Sequence, residues 1–73
     1  MERIAIQTAD IQLDQFLKLS GAIVTGGAVK PLLMERRIFV NGVPETARRK
    51  KLVPGDVVTL DTDDGKLEFQ VSQ

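Results

Sequence analysis

The sequence predicts an α+β fold in which two short helices pack on a small, mostly antiparallel β-sheet. Apolar residues follow helical spacing between residues 13 and 33, and from residue 38 onward they alternate with a period of two. Turn signals at Asn41-Gly42 and Pro54-Gly55-Asp56, and at residues 62–65, separate the later strands. At 73 residues, the chain is expected to form one domain spanning residues 1–73.

The first strand and the first helix are predicted from the amino-terminal residues. Ile4 and Ile6 alternate with more polar neighbours, which is typical of a short strand. Apolar side chains between residues 13 and 17 follow helical spacing, and Asp14 suits the positive end of a helix dipole. Gly21 is predicted to end this helix.

A second helix is expected after Thr25, which is predicted to be its N-cap. Its apolar face is predicted to carry Ala28, Leu32 and Leu33. Gly26 and Gly27 disfavour a helical start, and Pro31 would remove a hydrogen bond if the helix began at Gly26. The helix is therefore expected to begin with a loose turn, or to start properly near Pro31.

The remaining chain is predicted to form strands joined by tight turns. Residues 38–40 alternate, and Asn41-Gly42 is a strong two-residue hairpin signal because both positions tolerate positive φ. After the turn at Pro54-Gly55-Asp56, strands are expected at residues 57–60 and 67–71.

Charge is segregated along a chain whose total charge is zero. Residues 18–51 hold eight basic and two acidic side chains, a net of +6, against −2 for residues 1–17 and −4 for residues 52–73. Such segregation can present a basic face to a polyanion. The pI near 6.2 is not the strongly basic value that usually marks nucleic-acid binding, so the position of the charges carries the argument.

The residue types argue against catalysis and metal binding. The sequence has no His, Cys or Tyr, which are among the commonest general bases, nucleophiles and metal ligands. Asp61, Asp63 and Asp64 lack the spacing of a calcium loop and are predicted to form a hairpin turn. We expect no enzyme activity, cofactor, metal or small-molecule substrate.

A cytoplasmic location is expected from the composition. No apolar run approaches eighteen residues, no signal peptide is recognisable, and no cysteine is present to form a disulfide. No membrane partner is expected.

The sharpest local feature is the basic run, defined here as Arg48, Arg49, Lys50 and Lys51. Such a run forms either a solvated loop or a loop that contacts phosphates. Four further cations near the predicted helices favour phosphate contact: Lys18, Lys30, Arg36 and Arg37. For the two arginines, capping of the helix end is an equally good explanation.

Two other features each keep two interpretations. Thr25-Gly26-Gly27 either leaves backbone N–H groups open to a phosphate or makes a tight turn between helices, and Lys30 one turn later favours the anion. Phe39 either stacks on an unpaired base or covers a secondary apolar patch. Phe16 and Phe69 are predicted to be core residues.

Four segments, in this order, resemble the RNA-binding domain named for small-subunit ribosomal protein four, also called the alpha-L RNA-binding motif. They are Leu13-Asp14-Gln15-Phe16-Leu17-Lys18, Thr25-Gly26-Gly27 with Lys30, Ile38-Phe39-Val40-Asn41-Gly42, and Gly55-Asp56-Val57-Val58. The match runs from about residue 11 to residue 60, and the short length and flanking strands look like the bacterial stand-alone members. The resemblance implies a two-helix alpha-L motif on a sheet, with the helices and the loop after the hairpin gripping structured RNA.

The resemblance and the charge pattern together predict the RNA-binding residues. Many family members carry Ser-Arg where this chain has Thr25-Gly26-Gly27, so the contact from the second helix is assigned to Lys30. The full predicted set is Lys18, Thr25, Gly26, Gly27, Lys30, Arg36, Arg37, Asn41, Arg48, Arg49, Lys50 and Lys51. The expected partner is structured RNA, either ribosomal RNA or tRNA and thus also ribosomal particles, bound through backbone phosphates and shape.

Two other classes remain as alternatives. A ubiquitin-like sulfur carrier has similar length and a similar hairpin, but it works through a C-terminal Gly-Gly and this sequence ends Val71-Ser72-Gln73. A protein-interaction module would use the same basic face against an acidic partner.

Overall fold

Two helices and seven strands are present in the described part of the chain, which is residues 1–73 with the backbone alone for Gly26. The structure is a computed structural model. In chain order the elements are β1 (Glu2–Ala5), β2 (Ile11–Gln12), α1 (Leu13–Leu19), a 3₁₀ turn (Gly26–Ala28), α2 (Val29–Met34), β3 (Ile38–Val40), β4 (Val43–Pro44), β5 (Lys51–Leu52), β6 (Val57–Thr62) and β7 (Gly65–Ser72).

Five strands form one sheet in the order β1-β7-β6-β3-β4, while β2 and β5 form a separate two-stranded ladder. The longest ladder joins β6 to β7 from Val57↔Gln70 to Thr62↔Gly65. Only β1 and β7 run parallel, and this pairing ties the first strand to the last. The predicted α+β fold with a helix pair and a mostly antiparallel sheet is confirmed.

The core lies between the helices and one face of the sheet. Leu13, Phe16 and Leu17 of α1 have no exposed surface, and they pack with apolar residues of β3, β5, β6 and β7. Every buried residue of the described chain is apolar. Phe69 is buried as well, so the prediction that both phenylalanines belong to the core is confirmed. Within the same described residues, neither helix is long and apolar enough to cross a bilayer.

The predicted loose turn at the start of the second helix is confirmed, but its predicted N-cap is wrong. The 3₁₀ turn precedes α2, the N-cap position is Ala28, and no side-chain cap is made there, so Thr25 is not the N-cap. Of the predicted apolar face, Leu33 is buried and Leu32 is partly buried against the core, whereas Ala28 is exposed. Val29, one turn before Leu33, is buried as well. Pro31 falls in the first turn of α2, where the N–H it lacks would have had no intrahelical partner.

The two helices end in the same way but with different residues. At the end of α1, Gly21 has φ +83° and donates its N–H to the Lys18 carbonyl at 3.1 Å, which confirms the predicted stop. At the end of α2, Arg36 takes the equivalent place with φ +57°. The N–H of Arg36 donates to the carbonyl of Leu33 at 3.1 Å, and the N–H of Arg37 donates to the carbonyl of Leu32 at 2.9 Å.

A positive φ is costly for a residue with a Cβ atom, by roughly 1–2 kcal/mol. We therefore expect Arg36→Gly to be more stable than Arg36→Ala by about 1 kcal/mol, because both variants lack the guanidinium and only glycine relaxes the backbone. Urea unfolding followed by circular dichroism measures the difference. Equal stability of the two variants would mean that position 36 stores no backbone strain.

Candidate nucleic-acid interface

The backbone of the basic run is attached to the start of α1. The N–H of Leu13 donates to the carbonyl of Lys50 at 2.8 Å, and the N–H of Asp14 donates to the carbonyl of Arg48 at 3.1 Å. Next to these bonds, β2 pairs with β5 through Gln12↔Lys51. The carbonyls therefore cap the first N–H groups of the helix, and α1 needs no side-chain cap from Gln12.

The Arg48 side chain lies beside an acidic residue of the same helix end. Its Nε is 3.8 Å from Oδ2 of Asp14, whose side chain is only 16% exposed against 44% for that of Arg48. An ion pair of this exposure contributes between about 0 and 1 kcal/mol to stability. Its effect is mainly to orient the guanidinium while leaving much of it in solvent.

An open groove of about 590 Å³ separates α2 and its carboxyl end from the loop that leads into the basic run. It is lined by Lys30, Leu33, Met34, Arg36, Thr46 and Arg48. Three of these residues are cationic and none is acidic. The fold thus brings together charges that lie up to eighteen positions apart in the sequence, in a concave surface suited to a polyanion.

Four further predicted cations are exposed outside the lining of this groove. Lys18 is exposed in the last turn of α1, and Arg49, Lys50 and Lys51 are exposed along the basic run. Exposed side chains fit both interpretations of the basic run, so contact with phosphates stays a prediction.

Thr25 and Gly27 are both exposed at the 3₁₀ turn, whereas the exposure of Gly26 lies outside the described residues. The carbonyl of Thr25 accepts the N–H of Ala28 at 3.1 Å, which closes the turn. A tight interhelix turn, one of the two predicted interpretations, is therefore present. Anion binding by its amides stays a prediction.

Arg37 has acidic partners within the protein. Its Nε is 2.9 Å from Oε1 of Glu35, and its Nη1 is 3.1 Å from Oδ1 of Asp63 in the turn between β6 and β7. The hydrogen bond and charge of Asp63, together with the charge of Glu35, raise the pKa of Arg37 above its ordinary value. The guanidinium of Arg37 thus forms ion pairs with two carboxylates. No ion pair is present for Arg36 in the part of the chain that the structure describes.

Asn41 joins two turns of the sheet. It has φ +53° in the hairpin between β3 and β4, its Nδ2 donates to Oδ1 of Asp56 at 3.1 Å, and its Oδ1 accepts the N–H of Val57 at 2.9 Å. Asp56 also accepts the N–H of Val53 at 2.9 Å. The side chain therefore has a structural task, and one donor and one lone pair of the amide remain for a ligand.

Three residues of this site were not predicted from the sequence. Met34 lies one helical turn after Lys30, so its place in the groove follows from spacing once the groove is known. Thr46 carries no local signal, because its position depends on the path of the loop. The proximity of Asp14 to Arg48 likewise depends on contacts between distant segments.

The helix pair, the sheet and the cationic groove define a nucleic-acid-binding type of α+β domain. The family model described as the S4 domain matches residues 4–68. The chain is also 45% identical over 68 residues to the protein named "Probable ribosome maturation protein RlbA" of Bacillus subtilis (strain 168), an alignment that covers 93% of this chain and 92% of that protein. The chain belongs to the S4 domain family, as its sequence resemblance indicated.

The structural role of Asn41 can be tested by its effect on stability. We expect Asn41→Gly to destabilise the fold by about 1–2 kcal/mol, because two hydrogen bonds are lost while glycine still accepts the positive φ. Urea unfolding measures the loss, and a double-mutant cycle with Asp56→Ala should show a coupling of about 0.5–1.5 kcal/mol. Unchanged stability would show that these two hydrogen bonds do not stabilise the fold.

Proposed function

We propose that this protein is a non-catalytic, cytoplasmic, single-domain RNA-binding protein that recognises structured ribosomal RNA or tRNA. Membership of the S4 domain family supports an RNA-binding role, and the name of the Bacillus subtilis relative points to ribosome maturation. The sulfur-carrier alternative is set aside, because the chain belongs to a different family.

The observation that carries the proposal is the convergence of Lys30, Arg36 and Arg48 on one groove. Cations on a concave surface meet the phosphates of a folded RNA, and planar guanidinium groups match phosphate oxygens in two-point contacts. The proposed contact surface also includes four exposed cations outside the groove lining: Lys18, Arg49, Lys50 and Lys51. Contacts of this kind fix the position of the protein on a folded RNA and depend on the shape of that RNA. They discriminate little between base sequences.

Further contacts are proposed for residues with a more limited role. Thr25 and the amides of Gly26 and Gly27 would add positioning bonds beside Lys30. Asn41 would use the part of its amide that Asp56 and Val57 leave available. Arg37 would contact RNA only by exchanging its carboxylate partners for a phosphate.

Engagement of about five phosphates should give a slope of about −3.5 to −4.5 in a plot of log affinity against log salt. We expect Arg48→Glu/Lys50→Glu to make this slope shallower by about 2, because each cation accounts for one phosphate contact. Fluorescence anisotropy with labelled ribosomal RNA fragments and tRNA, at several salt concentrations, measures both values and ranks the two RNA classes.

Arg3→Glu/Lys66→Glu is the matched control, because it changes the net charge by the same amount outside residues 18–51. It should retain most of the slope. A flat salt response of the wild type, or equal losses in the two variants, would refute phosphate binding by the basic run.

A further inference from the structure

The groove is larger and less uniform than a phosphate site requires. Its volume of about 590 Å³ lies within the range of roughly 300–1,000 Å³ that small-molecule sites occupy. Between its cations it has an apolar wall made by Leu33 and Met34. A continuous A-form duplex would contact such a surface only with phosphates and ribose hydroxyls. These polar groups make no favourable contacts with an apolar wall.

Met34 is the informative member of this wall. Met34 is 75% exposed, whereas Leu33, its neighbour in α2, is only 7% exposed. A methionine is flexible and polarisable, and its thioether makes favourable contacts with aromatic rings. Lys30 lies one turn before it, at i and i+4, so the apolar side chain and a phosphate-binding cation share one face of α2.

Arg36 and Arg48 supply planar groups on either side of the same space. A guanidinium can stack on a base as well as bind a phosphate. Arg36 is presented by a left-handed backbone conformation that glycine would adopt more easily. The strain is explained if the direction of this side chain matters for the ligand.

We infer that the groove binds one unstacked nucleotide, with the base against Met34 and its phosphates on Lys30, Arg36 and Arg48. The RNA that fits this protein then carries a bulged, looped-out or single-stranded nucleotide within its folded structure. This inference rests on the proposed RNA binding and specifies the ligand at the same groove.

The test compares one RNA hairpin in three forms: fully paired, with a single bulged nucleotide, and with the same bulge carrying an abasic ribose. The bulged hairpin should bind about 5- to 100-fold more tightly than the paired one, which is the range expected for stacking of one base. The abasic form keeps the backbone and the bend but lacks the base, so it should bind like the paired hairpin. Each of the four bases is tested in the bulge.

Met34→Ala should reduce the preference for the bulged hairpin by about 3- to 10-fold and leave binding of the paired hairpin unchanged. Leu67→Ala is the control, since Leu67 is an exposed apolar residue outside the groove lining.

The chain has two methionines, so methyl-labelled methionine gives two NMR signals. The Met34 signal should move on binding the bulged hairpin but not the abasic one, with Met1 as the internal reference.

The outcomes separate the two proposals. Equal, salt-dependent binding of all three hairpins would overturn the unstacked nucleotide and leave RNA binding intact. Equal loss of affinity for paired and bulged RNA in Met34→Ala would also overturn it, because the methionine would then serve the backbone contacts. Absence of salt-dependent binding to every hairpin would overturn the proposed function itself.

Discussion

The hydrogen bonds from the start of α1 to the carbonyls of Arg48 and Lys50 hold the site together. They satisfy helix N–H groups that no side chain caps, and they fix a loop that has no regular structure of its own. The helix in turn places Leu13, Phe16 and Leu17 in the core. The basic run therefore cannot leave its position without uncapping a helix on which the core depends, and this makes a surface loop a defined wall of the groove.

The opposite wall shows a conflict between an unstrained backbone and the placement of a cation in the groove. A glycine at position 36 would end α2 with less strain, as Gly21 does for α1. Arginine occupies the position instead, and its side chain lines the groove. Local departures from the best sequence for a fold are expected where a functional side chain has to be presented. The strained residue at the end of α2 therefore lies on the same surface as the cations of the groove.

Strands β3, β6 and β7 and their turns could be predicted from the sequence because their signals are local: alternation from Ile38, the Asn41-Gly42 hairpin and the turn at Gly55. The two-residue strands β2 and β5 were not predicted, because they are defined by pairing between distant segments. The loose turn before α2 could also be predicted, from Gly26, Gly27 and Pro31, but the shift of the N-cap position from Thr25 to Ala28 could not. For the site, the sequence identified the cations but not their partners. Arg37 meets Asp63 across 26 positions, and only the folded chain reveals that pair.

Local charge explains how a chain of zero net charge can carry a cationic groove. Electrostatic interactions in water are screened within roughly 8 Å at physiological salt, whereas the molecule measures 29 × 22 × 22 Å. Acidic residues farther than this from the groove therefore do little to weaken its field, whereas Asp14, 3.8 Å from Arg48, acts on it directly. Arg37 is matched by Glu35 and Asp63, while its neighbour Arg36 lines the groove. Adjacent arginines thus have different tasks, and the local field of the groove, rather than the net charge, decides whether an RNA is attracted.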